Sequence, residues 1–222
     1  MTLRLYYHPF ASFCQKALIA LYENGTKFEK ELVDLGDPDS RAAFQKVWPF
    51  AKFPVLRDEA RSVTVPESSV VIDYLQRHYP GPVRLIPEDP EVAMRAHVLD
   101  RVFDNYVATP LTKIVTDHFR AEGRRDPEGV EQARALIATS YKMLDDELTH
   151  GGEWAVGDAL TLADCAAAPA LFYSNIAVPF GEHRNLAAYY ARLASRPSFA
   201  RAVDEARPYR HVFPLEWPAS YA

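Results

Sequence analysis

The sequence predicts an α/β unit over residues 1–80 followed by an all-α unit over residues 90–222, with 81–89 as a linker. Three observations carry this reading. Before the prolines around Pro80, short alternating runs rich in aromatic and β-branched residues interleave with helical patterns. After them, apolar residues recur at helical spacing and no strand pattern stands out. The changeover is marked by Tyr79-Pro80-Gly81-Pro82, a strong local break.

Leu3–Tyr7 alternates as a short strand does. From Ser12 to Asn24 a helix is expected, with Cys14, Ala17, Leu18, Leu21 and Tyr22 on one stripe and Gly25 as its stop. The loop between them brings a hydroxyl, Ser12, and a thiol, Cys14, near a helix N-terminus. Such an end carries free N–H groups and a partial positive charge, and so favours thiolates and other anions. Lys27–Leu35 reads as a second strand, parallel to the first through a right-handed crossover. A helix over Pro38–Val47 follows, with Pro38 tolerated in its first turn. Strands at Lys52–Asp58 and Ser62–Val65, joined by a short turn, form a hairpin. A helix from Pro66-Glu67-Ser68-Ser69 to His78 completes the unit.

In the second unit, Val92, Ala96, Leu99, Val102, Phe103, Tyr106 and Val107 share a helical face. That helix is expected to continue to Phe119 with a kink at Pro110. Ala121–Pro127 is a polar loop, and Val130–Leu148 a long amphipathic helix closed by Gly151-Gly152. Thr161 with Asp164 three residues on is a capping box for the next helix. Two more helices are expected over Leu186–Arg196 and Pro197–Ala206, then an irregular tail carrying Phe213, Trp217 and Tyr221.

Composition narrows the function. A hydrophobic fraction of 48%, a charged fraction of 25% and a net charge of −5 are those of a soluble protein without a basic nucleic-acid face. No apolar run is long enough to span a membrane and no secretory leader opens the chain, so a reduced cytoplasmic setting is expected. The two cysteines, Cys14 and Cys165, lie far apart inside helical patterns and imply no disulfide framework. The histidines lack metal-ligand spacing, and neither a phosphate loop nor GxSxG occurs.

Each remaining motif has two readings. Phe53-Pro54 is either an ordinary trans pair or a cis bond exposing a main chain to an extended ligand. Glu67-Ser68 is either an acidic first turn with a cap or a helix end that binds a carboxylate through Ser68 and an ammonium through Glu67. Cys14 is either a reactive thiol or a small core residue.

Taken in order, Tyr7-His8-Pro9-Phe10-Ala11-Ser12-Phe13-Cys14, Phe53-Pro54, Pro66-Glu67-Ser68, Gly157 with Thr161-Leu162-Ala163-Asp164, and Arg196-Pro197 resemble a cytosolic glutathione transferase, of bacterial, serine-type or related kind. The resemblance implies a thioredoxin-like N-terminal domain, an all-helical C-terminal domain and a homodimer. It implies glutathione as co-substrate, a small hydrophobic electrophile as second substrate, and no metal. Phe53, beside cis-Pro54, would pair with the cysteinyl part of glutathione; Glu67 and Ser68 would hold its γ-glutamyl end, and Lys52 would approach the tripeptide.

At the catalytic position the sequence departs from the family. In the register of CPFC-containing glutaredoxin and omega-like sequences, and of serine-type transferases, the active residue falls on Ala11. A beta-like register anchored on Tyr7 and Pro9 places it at Ser12, while Tyr7 matches the catalytic tyrosine of other classes. Ser12 is the first candidate, Tyr7 the second and Cys14 the third. Phe10, Tyr106, Phe119 and Tyr173 are the candidates for the electrophile pocket. The alternatives are a glutathione-dependent disulfide reductase and a non-catalytic scaffold with the transferase fold.

Overall fold

A computed structural model describes residues 2–149 and 152–217. The first domain runs β1 (Leu3–Tyr7), α1 (Ser12–Glu23), β2 (Glu29–Leu32), α2 (Pro38–Val47), β3 (Val55–Asp58), β4 (Val63–Pro66) and α3 (Ser68–His78). Its sheet has the order β2-β1-β3-β4, with β1 and β2 parallel and the other pairs antiparallel.

β1 keeps its expected bounds and β4 is shifted by one residue, whereas β2 and β3 are shorter than their sequence patterns, each for a local reason. β2 keeps only four residues, all exposed, as a charged edge strand. Past it the Val33 N–H still donates to the Tyr7 carbonyl at 2.9 Å, but Asp34 then folds into a turn with the Gly36 N–H. β3 starts only after Pro54, which cannot donate to a ladder. In β1, Leu3, Leu5 and Tyr7 turn inward together, as alternation requires.

α1 departs most from expectation. Every residue from Cys14 to Leu21 is buried, Gln15 and Lys16 included, instead of a single stripe. The cause is tertiary: α1 lies between α3 on one side and the C-terminal helices α7 (Leu162–Ala177) and α9 (Pro197–Ala206) on the other.

The regular elements of the C-terminal domain are all helical among its described residues. The stretch expected as one kinked helix is three pieces: α4 (Pro90–Val102), a π-helical segment (Phe103–Ala108) and α5 (Thr109–His118). Pro110 supplies the reason. A continuous α-helix would need its missing N–H to bond the Tyr106 carbonyl; here the Ser140 hydroxyl donates to that carbonyl at 3.0 Å. The wider turn before the proline lets the Thr109 N–H and hydroxyl both reach the Asp104 carbonyl. A 3-10 turn over Glu122–Arg124 lies in the polar loop before α6 (Pro127–Thr149).

The capping box forms as read. Asp164 accepts from the Thr161 N–H at 2.7 Å, and also from the Ala155 N–H at 2.9 Å and the Tyr189 hydroxyl at 2.6 Å. It therefore anchors the preceding loop and α8 (Arg184–Ala194) as well as α7. The segment between α3 and α4 is docked by Leu85, which is buried and accepts the Leu162 N–H at 2.8 Å. After α9 the chain makes a 3-10 segment (Arg207–Val212) before its extended end. Gly151, expected to close α6, and Tyr221 of the tail lie outside the described residues. No helix among the described residues is long and apolar enough to cross a membrane.

Candidate active site

A cavity of ≈ 590 Å³ opens between the two domains. One wall is the start of α1. Ala11 occupies the N-cap in extended backbone, and no side chain caps the helix or places an acid in its first turn. Its N–H groups and partial positive charge are therefore available to a ligand. Ser12, the first residue of the helix, lines the cavity and its hydroxyl has no hydrogen-bond partner among the described residues.

A second wall is Lys52-Phe53-Pro54, where the Phe53–Pro54 bond is cis. A third is the start of α3. Glu67 sits in the left-handed region at φ 67°, a conformation that costs a non-glycine residue about 1–3 kcal/mol. Ser68 follows as the first helical residue, and this end too lacks a side-chain cap. Two uncapped helix N-termini thus face one space, an arrangement suited to an anionic ligand.

The opposite wall comes from the C-terminal domain. Arg101, Asp104 and Asn105 contribute its polar part; Leu111, Val115, Tyr173 and Phe213 contribute its apolar part. Phe213 belongs to the tail and packs against Phe10 and Tyr173, with ring centroids at 5.5 and 5.6 Å.

Behind these walls lies a buried ionic cluster. The Lys16 ammonium is 2.5 Å from Asp100, 2.7 Å from Asp104 and 2.8 Å from the Ser69 hydroxyl. The Arg101 guanidinium reaches both carboxylates and Ser69 from the solvent side. Burial raises the Asp104 carboxyl above its usual range, opposed by the Lys16 and Arg101 charges. Lys16 is one turn past Ser12, Ser69 follows Ser68, and Arg101 and Asp104 face the cavity. One ammonium therefore ties together three walls of the site.

Of the residues singled out in the sequence, Phe10, Ser12, Lys52, Phe53, Pro54, Glu67, Ser68 and Tyr173 line this cavity. Three do not. Tyr7 lies in the core with Leu3, Leu5 and Cys14, because strand alternation turns it toward α1. Burial, with the Glu205 charge nearby, pushes its hydroxyl up to about 12. Tyr106 is half-exposed outside the cavity, since the π-helical turn presents Asn105 inward in its place. Phe119 is 66% exposed, one turn past Val115 and beyond the end of α5. Cys14 is fully buried, which raises its thiol far above the ordinary value.

The polar wall was not anticipated. Lys16, Asp100 and Asp104 carried a signal, charges set among apolar helical positions. Asn105 and Phe213 carried none. Among the described residues no group of three or more His, Cys, Asp or Glu side chains is placed to hold a metal.

Comparison with known proteins agrees with this architecture. Residues 5–83 match the family described as glutathione S-transferase, N-terminal domain, and residues 127–192 the family described as glutathione S-transferase, C-terminal domain. A chloroplastic glutathione S-transferase of Arabidopsis thaliana, DHAR3, is 27% identical over 87% of this chain and 69% of its own. A probable maleylacetoacetate isomerase of Caenorhabditis elegans is 26% identical over 92% of this chain and 94% of its own. Among solved structures, a glutathione S-transferase of Methylobacterium radiotolerans in complex with glutathione sulfonate superposes with a TM-score of 0.80. It is 28% identical, over 91% of this chain and 94% of that one.

Proposed function

Since the chain belongs to the glutathione S-transferase family, with the N- and C-terminal domains both matched, we propose that it activates glutathione for attack on a small apolar electrophile. The supporting observation is that Ser12, Phe53-Pro54 and Glu67-Ser68 line one cavity beside an uncapped helix start. On this reading the Phe53 main chain pairs with the cysteinyl unit, Glu67 and Ser68 take the γ-glutamyl ammonium and carboxylate, and Lys52 approaches the tripeptide.

A free thiol has a pKa near 8.5, so only a few per cent of glutathione is thiolate at neutral pH. The Ser12 hydroxyl donates to the sulfur, and the α1 N-terminus adds its positive potential. Both favour the charged form. The thiolate then forms a carbon–sulfur bond as the electrophile's leaving group departs with the bonding pair. Phe10 and Tyr173, with Leu111, Val115 and Phe213, hold the apolar reactant against it, so proximity supplies part of the rate.

Removing one hydroxyl that donates to a charged atom costs about 1.5–3 kcal/mol. Ser12→Ala should therefore raise the pKa of bound glutathione by roughly one to two units and lower conjugation of chlorodinitrobenzene at least about tenfold. An unchanged thiol titration and rate would remove Ser12 from the mechanism.

Similarity to DHAR3 and to an isomerase favours, as a second reading, another glutathione-dependent outcome such as disulfide reduction. With Cys14 buried, bound glutathione itself would be the nucleophile there as well. Activity on hydroxyethyl disulfide without activity on aryl halides selects it. Absence of glutathione binding up to millimolar concentrations leaves only a non-catalytic scaffold. The reading includes a cytoplasmic homodimer, supported by Val70, Met94 and Val98, which stand half-exposed on α3 and α4. Sedimentation equilibrium should return twice the chain mass, and a monomer at micromolar concentration refutes that part.

A further inference from the structure

The C-terminal wall of the cavity holds a polar group that the proposed reaction does not use. Asn105 lies in the π-helical segment and lines the cavity together with Leu111 and Val115 of α5. Single π-helical turns are rare and recur at functional sites. Here the turn is closed by the Thr109 N–H on the Asp104 carbonyl, and Asn105 sits inside that widened ring. The other polar groups of the wall are engaged. The Arg101 guanidinium bonds Asp100, Asp104 and Ser69. The Thr109 hydroxyl donates to the Asp104 carbonyl at 2.8 Å, and the Thr112 hydroxyl to the Ala108 carbonyl at 2.9 Å. The Asn105 carboxamide, by contrast, has no hydrogen-bond partner among the described residues, and the residue is exposed.

Charge and spacing say what this amide can meet. Lys16 and Arg101 are balanced by Asp100 and Asp104, so the ionic cluster behind the wall carries no net charge. The wall therefore offers hydrogen bonding without a surplus that would hold an anion in the ground state. Leu111 follows Asn105 by six residues, about 9 Å along the helix. A neutral molecule with an acceptor oxygen at one end and a hydrocarbon body at the other matches this sequence of donor and apolar surface.

We propose that Asn105 is a catalytic residue toward one class of electrophile, neutral alkenes conjugated to a carbonyl. The proposal rests on the glutathione reading above and narrows it. The bound thiolate forms a carbon–sulfur bond at the β-carbon, and the alkene electron pair moves toward the carbonyl oxygen, which becomes an enolate. The Asn105 N–H donates to that oxygen. This bond strengthens as negative charge develops, so it lowers the barrier more than it tightens substrate binding. The proton given up by the glutathione thiol returns to the α-carbon through water. No group leaves, and neither oxidant nor reductant is needed. A benzyl halide develops its charge on the departing halide and on no oxygen, so Asn105 contributes nothing to its reaction.

The test measures kcat and KM for trans-4-phenyl-3-buten-2-one and for benzyl chloride in the full chain, in Asn105→Leu and in Asn105→Asp, with glutathione affinity followed by calorimetry. Asn105→Asp keeps the shape of the side chain and replaces its donor by a negative charge. For the enone, kcat/KM should fall at least about tenfold in both variants, mainly through kcat, while benzyl chloride stays within about twofold. Glutathione affinity should not change; should benzyl chloride not react, that affinity is the unchanged reference. An enone rate retained in either variant, or equal losses for the two electrophiles, overturns the proposal. So does weakened glutathione binding in both variants, which would place Asn105 on glutathione instead. A parent chain that binds glutathione without turning over the enone overturns it as well. Absence of glutathione binding by the parent refutes the reading on which this one rests.

Discussion

Replacing Lys16 by methionine tests whether one buried ammonium holds the walls of the cavity together. Methionine keeps the length of the side chain and its packing in α1, so the loss is mainly of charge. The side chain is 1% exposed and faces Asp100 and Asp104, also 1% and 7% exposed. With Arg101 the cluster is neutral; without Lys16 it carries one net negative charge inside the protein. Removing one partner from such a pair costs about 3–5 kcal/mol. At about 2–4 °C per kcal/mol for a protein of this size, the melting temperature should fall by roughly 6–20 °C. Lys16→Met/Asp104→Asn restores neutrality through Arg101 and Asp100, and should recover at least half of that loss. The pH dependence has a definite sign. Burial already raises the Asp104 carboxyl, and Lys16 is the largest opposing charge. Without it the folded-state value rises further, so protonation stabilises the variant and its deficit should shrink between pH 7 and pH 5. Thermal melts of the three proteins at both pH values provide the assay. A melting temperature within about 2 °C of the parent, or a double variant less stable than the single one, would show that the cluster does not hold the domains.

Two further outcomes follow from buried groups away from the cavity. Burial raises the Asp58 carboxyl, but hydroxyls of Tyr79 and Tyr74, at 2.5 and 2.8 Å, and the Arg61 N–H outweigh it and hold the group below its usual value. Its contribution is therefore present above the unfolded pKa of about 3.9 and is lost as pH falls through the folded value. Tyr74→Phe/Tyr79→Phe should cost about 3 kcal/mol or more at pH 7, with the gap narrowing near pH 3, followed by urea unfolding; a constant gap contradicts this account. Cys14 and Cys165 are fully buried and their thiols raised by burial, so the native protein should be inert to Ellman's reagent and release two equivalents in urea. One fast native equivalent would mean that Cys14 is reachable.

The sequence by itself was enough for the order of elements, the two-domain division of character and the side of the cavity lined by Ser12, Phe53-Pro54 and Glu67-Ser68. Each of these rests on short-range physics. Alternation in Leu3–Tyr7, the Thr161/Asp164 box, the proline at position 38 and the adjacent pairs Phe53-Pro54 and Glu67-Ser68 act within a few residues of themselves. The helix-breaking effect of Pro110 was legible too, though its form, a π-helical turn with the Ser140 hydroxyl on the Tyr106 carbonyl, needed a partner helix. What only the tertiary structure decided is which side chains converge from distant elements. Helical periodicity could not show that α1 is covered on more than one side, so it gave no sign that Lys16 is the centre of a buried cluster. Nor could it choose between Tyr106 and Asn105, because one widened turn rotates the face that meets the cavity. Tyr7 matched a catalytic position by sequence, but alternation and the packing of α1 on the sheet keep its hydroxyl in the core. Start, spacing and caps are written locally; facing is set by what each helix packs against.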